Sequence, residues 1–393
     1  MNPSIPASFT GFNLTNLSAP FDLVGQALPA VVFDGTSYDA VVRTLRVSGA
    51  VPQSTTFNAD PLATGSSVWH VIGDLSVSGG AILTIDPLTV LKLNPGVDIF
   101  VNNGGTLQVN GSVGSEAVFT SFKDDTAGGD SNGDDVATAP ARGDWGSIYP
   151  RTGGNVAITG ADIRYPDYGI FTSADELASF SLVDSIITDF EWTGVRLYSN
   201  ASSVSYTMSN VIIDGTVNSA GSNNYQGIEV LAQDTSVTLD FDDIFIYDIS
   251  NNSYDYDGIH IVINGTSTLT GSLYNITIDG TSNYGIRMDD NATGDPVTPV
   301  FSGLDISNTG MPGLDGIEQY ASLTALDASD NQISNLLPLS FFGLASSLRH
   351  LELENNRISD ISPLLTYQNL ETLRLSGNAA IDFFNLQSLL SQN

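Results

Sequence analysis

The chain has 393 residues, 41% of them hydrophobic, with 44 acidic against 12 basic side chains and a formal net charge of −32. A field of that sign repels phosphate backbones and anionic headgroups, which argues against nucleic acid and membrane surfaces as partners and favours divalent cations. There is no cysteine, hence no disulfide or thiolate metal site, and no apolar run long enough to span a bilayer.

Residues 1–65 mix Pro, Ser, Thr and Asn with short apolar patches such as Tyr38 to Val47. They are expected to form irregular strands that cap or precede a regular part. The apolar stretch Leu23 to Phe33 contains Gly25 and Pro29 and follows no basic segment, so it does not read as a signal peptide.

From Val68 the pattern becomes alternating apolar pairs: Leu75/Val77, Leu83/Ile85, Leu91/Leu93, Ile99/Val101 and Leu107/Val109, with glycines between them. Such period-2 fragments suit either a coil with three faces per rung or a sandwich, and repetition decides between them. A glycine followed at once or closely by Ile or Val recurs at Gly146, Gly169, Gly194, Gly227, Gly258, Gly285 and Gly316, 23 to 33 residues apart. A second anchor falls between these glycines, at Asp162-Ile163, Ser185-Ile186, Asn210-Val211, Asp243-Ile244 and Asn275-Ile276. Two phased anchors per period predict one rung per repeat, with branched side chains stacking inward and each glycine marking a tight corner. Polar inserts, Thr216 to Tyr225 and Ser250 to Tyr256, lengthen the period at one phase and predict loops protruding from one side.

Near Leu323 the period changes. Leu323-x-x-Leu326-x-Ala328-x-x-Asn331-x-Ile333 is followed by Leu348-x-x-Leu351-x-Leu353-x-x-Asn356-x-Ile358 and by Leu370-x-x-Leu373-x-Leu375-x-x-Asn378. The starts lie 25 and 22 residues apart, within the leucine-rich-repeat range. The expected fold is therefore mainly β: a right-handed parallel β-helix over residues 66–320, with an acidic excursion at 123–142, continuing into a short leucine-rich solenoid over 321–393. No Pro/Ser-rich spacer separates them, so one solenoid is expected to cap the other. The sequence ends soon after the third repeat without an obvious cap, which reads as a truncated end or one covered by a neighbour.

Residues 68–148 resemble bacterial cell-surface β-helix proteins. The likeness rests on Gly73-Asp74-Leu75-Ser76-Val77, Ala81-Ile82-Leu83-Thr84-Ile85, the block Phe119 to Asp125, the acidic run Gly128 to Asp135, and Gly143-Asp144-Trp145-Gly146-Ser147-Ile148. The repeats from 323 resemble internalin-type leucine-rich repeats, down to Ile358-Ser359-Asp360-Ile361-Ser362-Pro363-Leu364. Together these resemblances imply secretion, surface display and binding rather than a reaction type.

Asp130-x-Asn132-x-Asp134 spaces three oxygen side chains two residues apart, which suits one hard cation, and Asp124, Asp125 and Asp135 are placed to add to the shell. Calcium is the expected ion; a solvated acidic loop is the plain alternative, since Asp135 and Ala141 stand where an EF-hand loop needs Gly and Glu. Trp145, Tyr168, Trp192, Tyr225, Tyr256 and Tyr284 adjoin the corner glycines and predict an aromatic ladder, more readily an internal stack than a sugar platform. Tyr254, Asp255, Tyr256 and Asp257, on a protruding loop, are candidate ligand contacts. So are His350, Glu352, Glu354 and Arg374, at solvent-facing strand positions of the repeats, alongside Ala325, Asp327, Ser329, Thr372 and Ser376. Asn331, Asn356 and Asn378 are expected to be structural, satisfying backbone groups after each strand.

The expected function is a non-catalytic, calcium-stabilised extracellular protein that binds a surface glycan or protein. A filament or surface layer built by end-to-end stacking is one alternative. A polysaccharide lyase or hydrolase is another, resting on the pairs Asp242-Asp243 and Asp289-Asp290 and on His260 and Arg287. Adjacent aspartates in a strand point to opposite faces, which weakens each pair.

Overall fold

The computed structural model describes residues 8–10, 13–17, 21–24, 32–34, 37–40, 44–51, 53–60, 68–173, 177–200, 203–215, 226–249, 257–281, 284–293, 300–307, 309, 314, 317, 322–340, 342–378 and 381. The chain packs as two units, Met1–Val204 and Ser205–Asn393. Each is a solenoid of parallel strands.

In the first unit, three columns of apolar side chains run through successive rungs, one for each face. Leu45, Trp69, Leu91, Phe119 and Ile163 share one register. Leu75, Ile99, Ile148, Ile170 and Val195 share the second, and Phe57, Ile85, Val109, Ile158 and Leu182 the third. All of these side chains are buried. Like stacks on like at the strand spacing of about 4.8 Å, and each buried aliphatic side chain contributes about 1.5–3 kcal/mol relative to exposure. The alternating pairs of the sequence are the inward positions of these columns.

Residues 1–65 differ from the expected irregular cap. Strands Ser8–Thr10, Asn13–Leu17 and Phe21–Val24 pair in parallel with Val32–Asp34, Ser37–Ala40 and Thr44–Val51. The partner of each lies 24 residues on, as in Ser8↔Val32 and Phe21↔Leu45.

In the second unit, Ile244, Ile276, Leu304, Leu326, Leu351 and Leu373 occupy one register. That column passes from the long strands Ser236–Tyr247, Thr268–Asp279 and Val300–Ser307 into the short strands Ala325–Asp327, His350–Glu352 and Thr372–Arg374. The backs of the short-strand repeats are made by 3₁₀ turns Leu337–Ser340 and Ser362–Thr366 and the helix Phe342–Ser347. Asn331 stitches the junction. Its amide donates to the carbonyls of Ile306 at 2.7 Å and Ser329 at 3.0 Å, and its Oδ1 accepts the Thr309 N–H at 2.9 Å. Asn356 and Asn378 repeat the arrangement one and two rungs on. Residues 382–393, on which the reading of an uncapped end rests, lie outside the described residues, as do the inserts 216–225 and 250–256.

The repeating glycines do not turn the chain. Gly146, Gly169, Gly194, Gly227 and Gly258 lie inside strands, and none has a positive φ. At Gly169, Gly227 and Gly258 the reason for glycine is a full interior: a Cβ would lie 2.6, 2.7 and 2.6 Å from the Cγ2 atoms of Ile187, Ile246 and Ile278. The true corner is the second anchor. Gly160, Asp184, Asn210, Asp243, Asn275 and Gly303 all take left-handed φ between 49° and 66°, a region Asn and Asp tolerate better than other non-glycine residues. Part of the acidic charge is therefore turn chemistry, not ligand chemistry.

Candidate functional site

The acidic excursion is folded onto the solenoid. Ala127 is buried, and a Cβ on Gly128 would meet Val68 Cγ1 at 2.4 Å. Beneath it Lys92, with no exposed surface, donates from Nζ to the Gly129 carbonyl at 2.6 Å. Burial lowers its pKa to about 8, against the opposing pull of Asp124, Asp125 and Asp130. Sequence reading missed Lys92 because its strand, Val90–Leu93, looks like any inward-facing run.

Of the five predicted metal-binding carboxylates, the fold brings three together. One oxygen each from Asp125, Asp130 and Asp134 lies within 4.8 Å of the others. Calcium–oxygen bonds of about 2.3–2.6 Å allow two ligands to stand up to about 5 Å apart, so this spacing fits. Asp125 Oδ1 and Asp134 Oδ1 are buried and have no hydrogen-bond partner. Desolvation raises the Asp125 pKa, and the carboxylates of Asp130 and Asp134 add to it. At Asp130 desolvation is overcome by the backbone N–H groups of Gly133, Asp135 and Asp134, which hold the carboxyl below its ordinary range.

Asp124 and Asp135 stand apart, and Asn132 lies against Asp134. Asp124 is fully buried and saturated by Thr120 Oγ1 at 2.7 Å and by the N–H and hydroxyl of Thr126, with Arg164 3.7 Å away. It braces the excursion. The Asn132 amide donates to Asp134 and Thr138. Asp135 is exposed at φ 60° and offers its N–H inward to Asp130. Alternate spacing along a loop predicts convergence only when the loop is regular, and this one turns at Gly128, Gly129, Gly133 and Asp135.

Among the described residues, Trp145 and Tyr168 do not share the register that the predicted aromatic ladder needs. Trp145 opposes Pro166 while Tyr168 opposes Thr193, so the two aromatics occupy different registers. Trp145 is buried and donates Nε1–H to the Arg164 carbonyl at 2.7 Å. Tyr225 and Tyr256 lie outside the described residues, as do Tyr254 and Asp255. Asp257 is buried and accepts the Tyr284 N–H at 3.1 Å, a role in the strand and not on a loop. A different stack exists further along these strands. Phe100, Tyr149 and Phe171 meet at centroid distances of 5.4 and 4.8 Å, and the Arg151 guanidinium covers Phe100 and Tyr149. With those faces covered, the stack is internal support.

Beside it Asp98, Asp167 and Glu191 bear on one another. Desolvation, then Glu191 and Asp98, push the Asp167 carboxyl up to about 6 from its ordinary 3.8. The folded state thus favours the protonated form, so this contribution to stability is complete below 3.8 and is lost as pH rises through 6. The melting temperature of the first unit is expected to fall as pH rises from 3.8 to about 6 and to level off above that. Asp167→Asn should flatten that slope and raise the melting temperature at pH 7.5, by a few degrees at about 2–4 °C per kcal/mol; calorimetry across pH checks it. Of the proposed catalytic groups, His260 and Arg287 both bind Asp289, through Nε2 at 3.0 Å and a guanidinium at 3.0 Å, and Asp243 sits at a left-handed corner. His260, Arg287 and Asp289 form a hydrogen-bonded cluster on neighbouring rungs.

The predicted strand-face residues of the repeats are in register: His350 between Ala325 and Thr372, and Glu352 between Asp327 and Arg374. Arg374 pairs with Glu352 at 3.0 Å, and Ser376 hydrogen-bonds Glu354. At its upstream end this face opens a pocket of ≈ 220 Å³ whose walls include Asp305, Asp327, His350 and Glu352. Asp305 escaped the sequence reading, because it belongs to the preceding β-helix rung and only the register places it beside Asp327.

In comparison with known families, the leucine-rich-repeat family model, in two copies, matches residues 346–392. No curated protein matches the chain. No helix among the described residues is long and apolar enough to cross a membrane.

Proposed function

We propose that this chain is a non-catalytic recognition protein of the cell exterior, which binds a protein partner through the strand face of its C-terminal repeats. The supporting observation is the register of polar side chains on one strand face: exposed His350 and Arg374 with half-buried Glu352 and Thr372, on strands within the matched leucine-rich-repeat segment, continued by half-buried Asp327 on the strand before it. Repeat proteins of this kind use such a surface for partners. A photo-crosslinking amino acid in place of Arg374 is expected to capture discrete partners from the source organism's extracellular fraction. The same group in place of exposed Asp240 serves as control, and equal capture at both positions sinks the reading.

Calcium at Asp125, Asp130 and Asp134 is the second element, supported by the two buried, unpartnered carboxylate oxygens. Bound calcium would offset their desolvation and stiffen the excursion. Thermal unfolding in EDTA and then in millimolar calcium is expected to show a rise, worth about 2.7 kcal/mol at a hundredfold excess over Kd. Asp130→Ala/Asp134→Ala should abolish it; an equal rise in that variant removes calcium from the site.

Polysaccharide cleavage is the competing reading, and the raised Asp167 carboxyl beside Glu191 and Asp98 favours it. Release of reducing ends or unsaturated products from acidic polysaccharides, lost in Asp167→Asn, would replace recognition by catalysis.

A further inference from the structure

From the strand-face pocket we infer that the partner is held by a lysine or arginine side chain, inserted between Asp305, Asp327 and Glu352. This rests on the recognition reading above and names the chemistry of the partner at the same face.

The three acids form a ladder. Asp305 pairs with Asp327, and Asp327 with Glu352, on successive strands, which places like charges about 4.8 Å apart along the sheet. Like charges directly opposite are destabilising in a sheet, so the arrangement works against the fold unless something neutralises it. The compensation within the chain lies at one end: Arg374, on the next strand, pairs with Glu352 at 3.0 Å. At the other end Asp305 Oδ1 is buried and has no hydrogen-bond partner. Desolvation raises the Asp305 pKa, with Asp327 the next cause. The ladder is therefore charge-matched at Glu352 and uncompensated at Asp305.

The shape agrees with an inserted side chain. Gly303 and Ala325, the smallest residues available, form part of the lining, so the pocket opens where larger side chains would fill it. No lysine or arginine contributes to the lining, and His350 is its only imidazole. A metal ion fits less well. Among the described residues, the sole group of three acids with oxygens close enough to share an ion is Asp125, Asp130 and Asp134. A guanidinium or ammonium on a long stem spans a row of carboxylates without requiring them to converge on one point.

The test is a displayed library of random peptides, panned on the full chain at about 150 mM salt, where long-range attraction to a −32 chain is screened. Binders are then measured on Asp327→Asn/Glu352→Gln and on a control, Asp135→Asn/Asp240→Asn, that removes the same charge at exposed positions elsewhere. Circular dichroism establishes that both variants fold. The expected result is enrichment of peptides with an indispensable lysine or arginine. They should lose about tenfold or more in affinity on the first variant and bind the control like wild type. Face-dependent peptides lacking a basic residue would overturn the cationic anchor and leave the recognition face standing. Basic peptides weakened equally by both variants would reduce the effect to net charge and overturn the pocket. Failure to enrich any face-dependent peptide would count against both.

Discussion

Replacing Asn356 by alanine is expected to loosen the C-terminal repeats locally, at a cost of about 1–3 kcal/mol. The side chain is 6% exposed and makes four hydrogen bonds. Its amide donates to the carbonyls of Ala328 at 2.8 Å, Leu353 at 3.2 Å and Glu354 at 3.1 Å. Its Oδ1 accepts the Ile333 N–H at 2.9 Å. Alanine leaves the Ile333 N–H buried and unpaired, at a penalty of about 1–3 kcal/mol, while the Ala328, Leu353 and Glu354 carbonyls each keep a second donor in the Asn331 amide, the Asn378 amide and the Asp330 N–H. Asp at this position keeps the acceptor but turns a second oxygen toward three carbonyls, so it should be no better. Asn378→Ala should cost less, because Asn378 is only half-buried. Hydrogen exchange read by mass spectrometry over residues 323–378 is the measurement, since a two-unit chain has no single melting transition to report a local event. Protection unchanged in the Asn356 variant would mean that the leucine column alone holds the repeats.

The asparagines were legible because their chemistry is local. A side chain that must satisfy the turn after each strand recurs at the repeat period, so Asn331, Asn356 and Asn378 stand out in sequence. The solenoid was legible for a related reason: identical rungs impose identical inward positions, and Leu75, Ile99 and Ile148 repeat them. What the sequence hides is register. Trp145 and Tyr168 each precede a repeating glycine yet pair with different partners, and Asp305 joins Asp327 only through a rung boundary. Loop geometry is hidden as well. Six oxygen-bearing residues of the excursion look equivalent, and only the fold separates the bracing Asp124 from the converging Asp125, Asp130 and Asp134. Buried Lys92, which supplies the positive charge beneath them, is indistinguishable in sequence from an exposed lysine.

The second large effect is expected from adding one methyl group. Gly258→Ala should destabilise the second unit by about 1–3 kcal/mol, although the same change usually stabilises a chain by about 0.4–1 kcal/mol through the unfolded state. The difference is contact. A Cβ at Gly258 would lie 2.6 Å from Ile278 Cγ2 and 2.7 Å from the Gly285 carbonyl oxygen. An isoleucine end can shift, but a carbonyl of the neighbouring rung cannot move without breaking the ladder it belongs to, where the Ile259 N–H donates to it at 2.8 Å. Gly73→Ala is the control. That glycine has no positive φ, and its nearest neighbour would be Ser48 Cβ at 3.5 Å, an ordinary contact. It should be neutral or slightly stabilising. The pair separates two reasons for a repeating glycine, turning and packing, since both positions have backbone angles open to alanine and differ only in what stands beside them. Denaturant unfolding of the two variants decides it. Equal stability in both would mean that the rungs relax around the added methyl and that the interior is less tightly filled than its column of isoleucines indicates.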